Sequence, residues 1–250
     1  MLPALVLASS LWNPPAAVQE PARTVPAVAP RLHSALAPAE RLVEEWWKQR
    51  FEASNARIAQ GGVGLVFLGD SITQGWEDEG KEIWAEFYGK RRAIDLGFSG
   101  DRTQHVLRRL ERHGLERLAG PDAPKLVVLM IGTNNSNGAD NSAEEIADGI
   151  VAVVQSLRAK LPETKVLLLA IFPRGEKPDS QREKNARASQ LAARCADGKM
   201  VHFLDIGPKF LEPDGTLPKD IMPDSLHLSP MGYGIWAESI EPKVQELLGE

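Results

Sequence analysis

The chain has 250 residues, 43% hydrophobic and 25% charged, an ordinary globular composition with room for one sizeable α/β domain. A net charge of −5 without any Lys/Arg-rich block leaves no electrostatic footprint for nucleic acid or an anionic membrane surface, and no apolar run reaches the length of a membrane span. The single cysteine, Cys195, excludes an intramolecular disulfide and a cysteine-based zinc site.

Taken from the N-terminus, Leu2 to Trp12 is a short apolar run followed by Pro14, Pro15, Ala16 and Ala17. It resembles a signal-peptide core with small residues near a cleavage point, although no positive charge precedes it. Export is the expectation, with a plain Ala/Pro-rich leader and a cytoplasmic protein as the alternative. Residues 13–38 are rich in Pro and Ala and read as an extended linker, so the chain divides into a leader, 1–38, and a domain, 39–250. Pro38 to Gln60 has helical periodicity, with Leu42, Trp46, Trp47 and Phe51 at compatible spacings.

Continuous apolar runs then recur at Leu65–Leu68, Ala93–Leu96, Leu126–Ile131, Val166–Ile171 and Val201–Leu204. Runs without alternation indicate strands covered on both faces. Helical patterns lie between them at Thr103–Leu110, Ala143–Leu161, Gln181–Cys195 and Gly232–Leu248; Ile146, Ile150, Val153, Val154 and Leu157 form an apolar stripe in the second. Alternating strands and helices predict a parallel α/β sheet with right-handed crossovers and helices on both faces.

Ligands bind outside the carboxyl ends of such strands. Those ends carry Gly69-Asp70-Ser71, Gly97-Phe98-Ser99-Gly100-Asp101 and Gly132-Thr133-Asn134-Asn135. A serine hydroxyl is a poor nucleophile until a base takes its proton, and the base profits from a carboxylate that fixes its tautomer. Asp224-Ser225-Leu226-His227 offers both on one short segment. An oxyanion needs donors as well: the backbone N–H of Ser71, the unobstructed N–H of Gly100 and the side-chain amide of Asn134 are the candidates.

Val66 to Thr73, with its Gly-Asp-Ser, resembles the first conserved block of the SGNH (GDSL-type) hydrolase superfamily. Gly97–Gly100, Gly132-Thr133-Asn134 and Asp224-x-x-His227 resemble its second, third and fifth blocks. Within the superfamily, Gly100–Leu107, Pro173-Arg174-Gly175, Arg182–Asn185 and His227-Leu228-Ser229 are most similar to esterases of the platelet-activating-factor acetylhydrolase Ib type. The resemblance spans about Val66 to Tyr233. It implies a three-layer α/β/α sandwich on a five-stranded parallel, flavodoxin-like sheet and ester hydrolysis with no metal or cofactor. It also implies a Ser71–His227–Asp224 triad and an oxyanion hole of Ser71, Gly100 and Asn134. A homodimer is compatible with it, although no exposed stripe demands one. Asp95 stands where the second block usually begins with Asn, and Ser99 where some relatives have Gly, which leaves that loop's geometry open.

Each residue also has a bland reading. Ser71 alone would pass for a helix N-cap, and Asp224 for an Asx-turn residue after Pro223. Asp70 is expected to hold the nucleophile loop through backbone hydrogen bonds, and Asn135 to support its own loop. His105 reads as packing or hydrogen bonding rather than a second base; His33, His113 and His202 read as surface or core residues. Arg182 to Asn185 reads as a solvated helix face, and Cys195 as a small buried residue. The tryptophans at 46, 47, 76, 84 and 236 read as packing, with Trp76 near enough to Ser71 to touch substrate.

The expected activity is two-step acyl transfer from a small ester, losing rate as His227 takes a proton. Ile72, Thr133 and Leu226, beside the catalytic residues, are bulky enough to shorten the acyl side, which favours acetyl groups. The alternatives are a carbohydrate O-acetyl esterase, for which export would argue, and a non-catalytic binding module that keeps the fold.

Overall fold

The computed structural model describes residues 33–41, 43–121 and 123–250. The signal-like run Leu2–Trp12 and Leu42 lie outside the described residues. Residues 33–38, expected to end an extended linker, are partly folded. Ser34–Leu36 form a 3-10 turn, Ala35 is buried, and its carbonyl accepts a hydrogen bond from Thr103 Oγ1 at 2.9 Å. Alanine has no side-chain entropy to lose on ordering, which suits it to this seat. The first helix, α1 (Glu45–Ala59), starts later than its periodicity suggests, because a turn closed by Glu44 N–H on the Arg41 carbonyl precedes it.

Strands β1 (Leu65–Gly69), β2 (Ala93–Gly97), β3 (Leu126–Met130), β4 (Lys165–Leu169) and β5 (Val201–Leu204) follow the five apolar runs closely. They pair in parallel in the order β2-β1-β3-β4-β5. Alternation along each strand divides the core in two. Val66, Leu68, Val127, Leu129, Val166 and Leu168 face one layer, whereas Leu65, Phe67, Leu126, Val128, Leu167 and Leu169 face the other. Both sets are buried, which is why the runs look continuous in sequence. Each such side chain contributes about 1.5–3 kcal/mol relative to exposure.

After two short helices, α2 (Ser71–Gln74) and α3 (Lys81–Phe87), the first layer is closed by α4 (Thr103–Arg112), α5 (Ala143–Lys160) and α6 (Ser180–Ala192), through residues such as Val106, Ile150 and Ala188. Helix α5 starts where the sequence provides a reciprocal cap: Ser142 Oγ accepts from Glu145 N–H and Glu145 Oε2 from Ser142 N–H. The second layer is closed by the C-terminal helix (Pro230–Leu248), which brings in Trp236, Ile240 and Val244. A helix over Lys81–Phe87, not expected from sequence, rests Ile83, Trp84 and Phe87 against the same layer. Among the described residues no helix is long and apolar enough to cross a membrane.

The chain leaves β1 toward β2 on one side and takes up β3 on the other. That reversal opens a crevice at the carboxyl ends of β1 and β3. Gly69 pairs with Gly97 and with Met130, so three strand ends stand level there.

Candidate active site

Ser71 begins a one-turn helix (Ser71–Gln74) directly after β1. Its N-cap is Asp70, whose Oδ1 accepts from Ile72 N–H at 3.0 Å, so the hydroxyl of Ser71 is not used for capping. The helix lies close on the sheet because Gly97 has no side chain: a Cβ there would stand 2.1 Å from Gln74 N. Asp70 is fully buried, its Oδ2 has no partner among the described residues, and burial pushes its carboxyl up to about 7.

His227 Nε2 lies 2.9 Å from Ser71 Oγ, and His227 Nδ1 lies 2.6 Å from Asp224 Oδ2. The other Asp224 oxygen accepts from the backbone N–H of Leu226 at 3.0 Å and of His227 at 2.7 Å. Asp224 therefore forms the Asx turn of its bland reading and engages the imidazole at the same time. Ser225 inside the turn has φ +60°, and Gly175 N–H clamps its carbonyl at 2.8 Å. Partial burial raises the Asp224 carboxyl, but hydrogen bonds from the His227 ring and from the two N–H groups outweigh it, leaving it below the ordinary value.

The three oxyanion candidates cluster at the neighbouring strand ends. Asn134 Nδ2 donates to the Asp101 carbonyl at 2.9 Å, which leaves one amide hydrogen over. Neither Ser71 N–H nor Gly100 N–H has an acceptor among the described residues. Of the three residues expected to bound the acyl side, Ile72 and Thr133 are buried, and Leu226 is half-buried. The altered Asp95 keeps the second loop in place, since its Oδ1 accepts from Gly97 N–H at 2.5 Å. Burial pushes the Asp95 carboxyl well above the usual range.

Several residues fall differently from their sequence reading. Arg182 and Asn185 are buried, not on a solvated face. Arg182 donates from Nε to Arg174 O at 2.9 Å, from Nη1 to Gly215 O at 2.5 Å and from Nη2 to Gly175 O, so it organises loops distant in sequence. Trp76 is buried in an aromatic cluster with Phe67, Tyr88 and Trp236 and, at 1% exposure, presents almost no surface to a substrate. Trp46 is exposed, whereas Trp47 packs on Phe51 and Phe98. His105 Nδ1 accepts from Arg102 N–H at 3.1 Å, and burial pulls the ring down to about 4, which suits a cap and not a base. Asn135 supports its loop, accepting from Thr103 N–H at 2.9 Å.

Sequence reasoning missed the buried ion pair beneath the site. Asp101 Oδ2 accepts from Arg109 Nε at 2.7 Å, and Arg109 Nη2 donates to the Gly69 carbonyl at 3.1 Å. An arginine at position 109 on the apolar stripe of Val106 and Leu110 was the available signal. Tyr233, whose hydroxyl donates to the Ile72 carbonyl at 2.7 Å, was missed too. A 530 Å³ cavity lined by Trp46, Arg50, Glu77 and Asp95 includes no residue of the Ser71–His227–Asp224 set. Among the described residues no cluster of three or more His, Cys, Asp or Glu side chains could hold a metal ion.

Comparison with known proteins agrees with this architecture. The model of the GDSL-like Lipase/Acylhydrolase family matches residues 67–235. Platelet-activating factor acetylhydrolase IB subunit alpha1 of Pongo abelii is 39% identical over 187 residues, covering 74% of this chain and 77% of that one. Its Bos taurus counterpart is 42% identical over 170 residues, covering 68% and 69%. A solved Streptococcus pneumonia protein, described under the name platelet activating factor, superposes with a TM-score of 0.64 at 25% identity. It covers 81% of this chain and 96% of its own.

Proposed function

The chain belongs to the GDSL-like lipase/acylhydrolase family and is a carboxylic ester hydrolase, and from that premise we propose that it cleaves short-chain, chiefly acetyl, esters through Ser71, His227 and Asp224. The observation that carries this reading is the continuous hydrogen-bonded line from Asp224 Oδ2 through the imidazole to Ser71 Oγ, 2.6 Å and 2.9 Å long.

In the resting site the imidazole donates from Nδ1 to Asp224 and accepts a hydrogen bond from the Ser71 hydroxyl at Nε2. As Oγ attacks the ester carbonyl, the hydroxyl proton passes to Nε2, and Asp224 stabilises the imidazolium. The carbonyl oxygen becomes an anion received by the N–H groups of Ser71 and Gly100 and the spare amide hydrogen of Asn134. Collapse expels the alcohol with the proton from His227 and leaves an acyl-enzyme. Water, deprotonated by the same nitrogen, then releases the acid and restores Ser71.

The preference for a small acyl group rests on the half-buried Leu226 beside His227, since Ile72 and Thr133 are buried and present almost no surface to a substrate. The name acetylhydrolase carried by the relatives supports it. Rates on acetyl, butyryl and octanoyl esters of one alcohol test this, with Ser71→Ala as control. The acetyl ester should turn over at least about tenfold faster than the octanoyl ester, since even one misfitted methylene is worth about 1–3 kcal/mol. Faster octanoyl turnover would overturn it. Running acetylated sugars beside acetylated lipids in the same assay separates the two leaving-group classes.

A further inference from the structure

Residues 33–41, 43 and 44 precede the segment matched by the family model, yet they reach the oxyanion side of the site. Asn141 Nδ2 donates to Ser34 Oγ at 2.9 Å, and Ala39 N–H donates to Gln104 O at 3.1 Å. With the Thr103–Ala35 bond, these contacts strap the segment across the start of α4 and the approach to α5. The strap ends by delivering Arg41. Glu44 fixes one edge of its guanidinium, Nε to Oε1 at 2.8 Å and Nη2 to Oε2 at 2.7 Å. The remaining nitrogen, Nη1, donates to the Ser99 carbonyl at 2.7 Å and to Asp101 Oδ1 at 3.2 Å.

The Ser99 carbonyl and the Gly100 N–H belong to one peptide group. That group is planar and trans, so its C=O and N–H point in opposite directions, and whatever holds the oxygen decides where the hydrogen points. The flanking amides are fixed by other means: Ser99 N–H donates to Gln74 Oε1 at 2.8 Å and Asp101 N–H to Phe98 O at 3.0 Å. Gly100 has φ +73°, and a glycine beside a peptide lowers the cost of turning it over. Arg41 lies against this glycine, with Nη1 3.1 Å from where a Cβ would stand. Asp101 anchors the guanidinium from beneath, itself held by Trp47 Nε1 at 3.0 Å and Arg109 Nε at 2.7 Å. A cationic donor on the carbonyl also polarises the amide and strengthens its N–H as a donor.

We propose that Arg41 is a positioning residue of the oxyanion hole: its grip on the Ser99 carbonyl aims the Gly100 N–H at the developing oxyanion. This rests on the esterase reading given above. A donor used only in the transition state contributes to kcat and leaves substrate binding alone. An arginine that merely fastened the strap would instead act through the amount of folded protein.

The test uses the full chain as wild type, Arg41→Ala and Arg41→Lys, assayed on one acetyl ester well below each unfolding midpoint. Arg41→Ala should lose about tenfold to a hundredfold in kcat, short of deleting an oxyanion donor outright, with KM within about twofold. Affinity for a small alkyl boronic acid, whose adduct with Ser71 is tetrahedral and anionic, should fall by the same factor. Arg41→Lys keeps a cationic donor and should lie between the two. A kcat for Arg41→Ala within twofold of wild type overturns the proposal, as does a loss carried wholly by KM or by the unfolded fraction. Wild type without activity on any ester would instead bring down the esterase reading itself.

Discussion

Ser71 follows a strand whose every residue is buried, whereas His227 and Asp224 sit on a segment of turns with 44% and 55% of their side chains exposed. Ser71 and the neighbouring strand-end loops are fixed from below, by close packing at Gly97 and by the Asp101–Arg109 pair. His227 and Asp224 are fixed locally, by an Asx turn and one clamp from Gly175. The two carboxylates flanking Ser71 and His227 show the contrast most sharply. Asp224 lies in the open, paired with an imidazole; Asp70 is sealed in the interior with one oxygen unpartnered among the described residues. On the proposed mechanism Asp224 bears on catalysis and Asp70 on stability, although both converge on one hydroxyl.

Exchanging each carboxylate for its amide should separate these roles. In Asp224→Asn the imidazole loses the partner that fixes its tautomer, and kcat should fall about 10⁴-fold. The thermal midpoint should hardly move, because Asn keeps an oxygen for the two backbone N–H groups and a single hydrogen bond is worth only about 0.5–1.5 kcal/mol net. A large fall in midpoint together with retained kcat would erase the distinction between the two halves.

The effect at Asp70 is smaller and shows in stability. Burial holds its folded-state carboxyl at about 7, against about 3.9 for an exposed aspartate. Across that window the folded protein keeps a proton that the unfolded chain releases, so stability declines as pH rises through it. Asp70→Asn retains an acceptor for Ile72 N–H and removes the titration. Its gain in stability over wild type, read from denaturant unfolding, should grow from pH 5 to pH 8. A gain that does not change with pH would contradict this assignment.

Much of the fold was legible because a parallel sheet imposes a local signature: strands covered on both faces are continuous apolar runs, and the helices between them carry stripes. Ser71, Gly100, Asn134 and the Asp224–His227 segment could be read together because they end successive strands or share a turn. Charge on a helix is usually exposed, so sequence points to a solvated Arg182; the carbonyls of Arg174, Gly175 and the distant Gly215 explain its burial instead. Trp76 looked close to Ser71 along the chain, but the short helix turns it into the aromatic layer beneath. The strap carrying Arg41 was hidden in a Pro/Ala-rich composition that resembles a linker. Its anchoring bonds are formed with residues more than fifty positions away.

The central claim is that Ser71 is a nucleophile made reactive by His227. Intact-mass and peptide mass spectrometry after treatment with an alkyl fluorophosphonate measures this directly, because the reagent loses fluoride and stays on an activated serine. The expected result is one adduct on Ser71 of the wild-type protein and labelling slowed by orders of magnitude in folded His227→Ala. An adduct elsewhere, no adduct on folded wild type, or an equal rate in His227→Ala would contradict it.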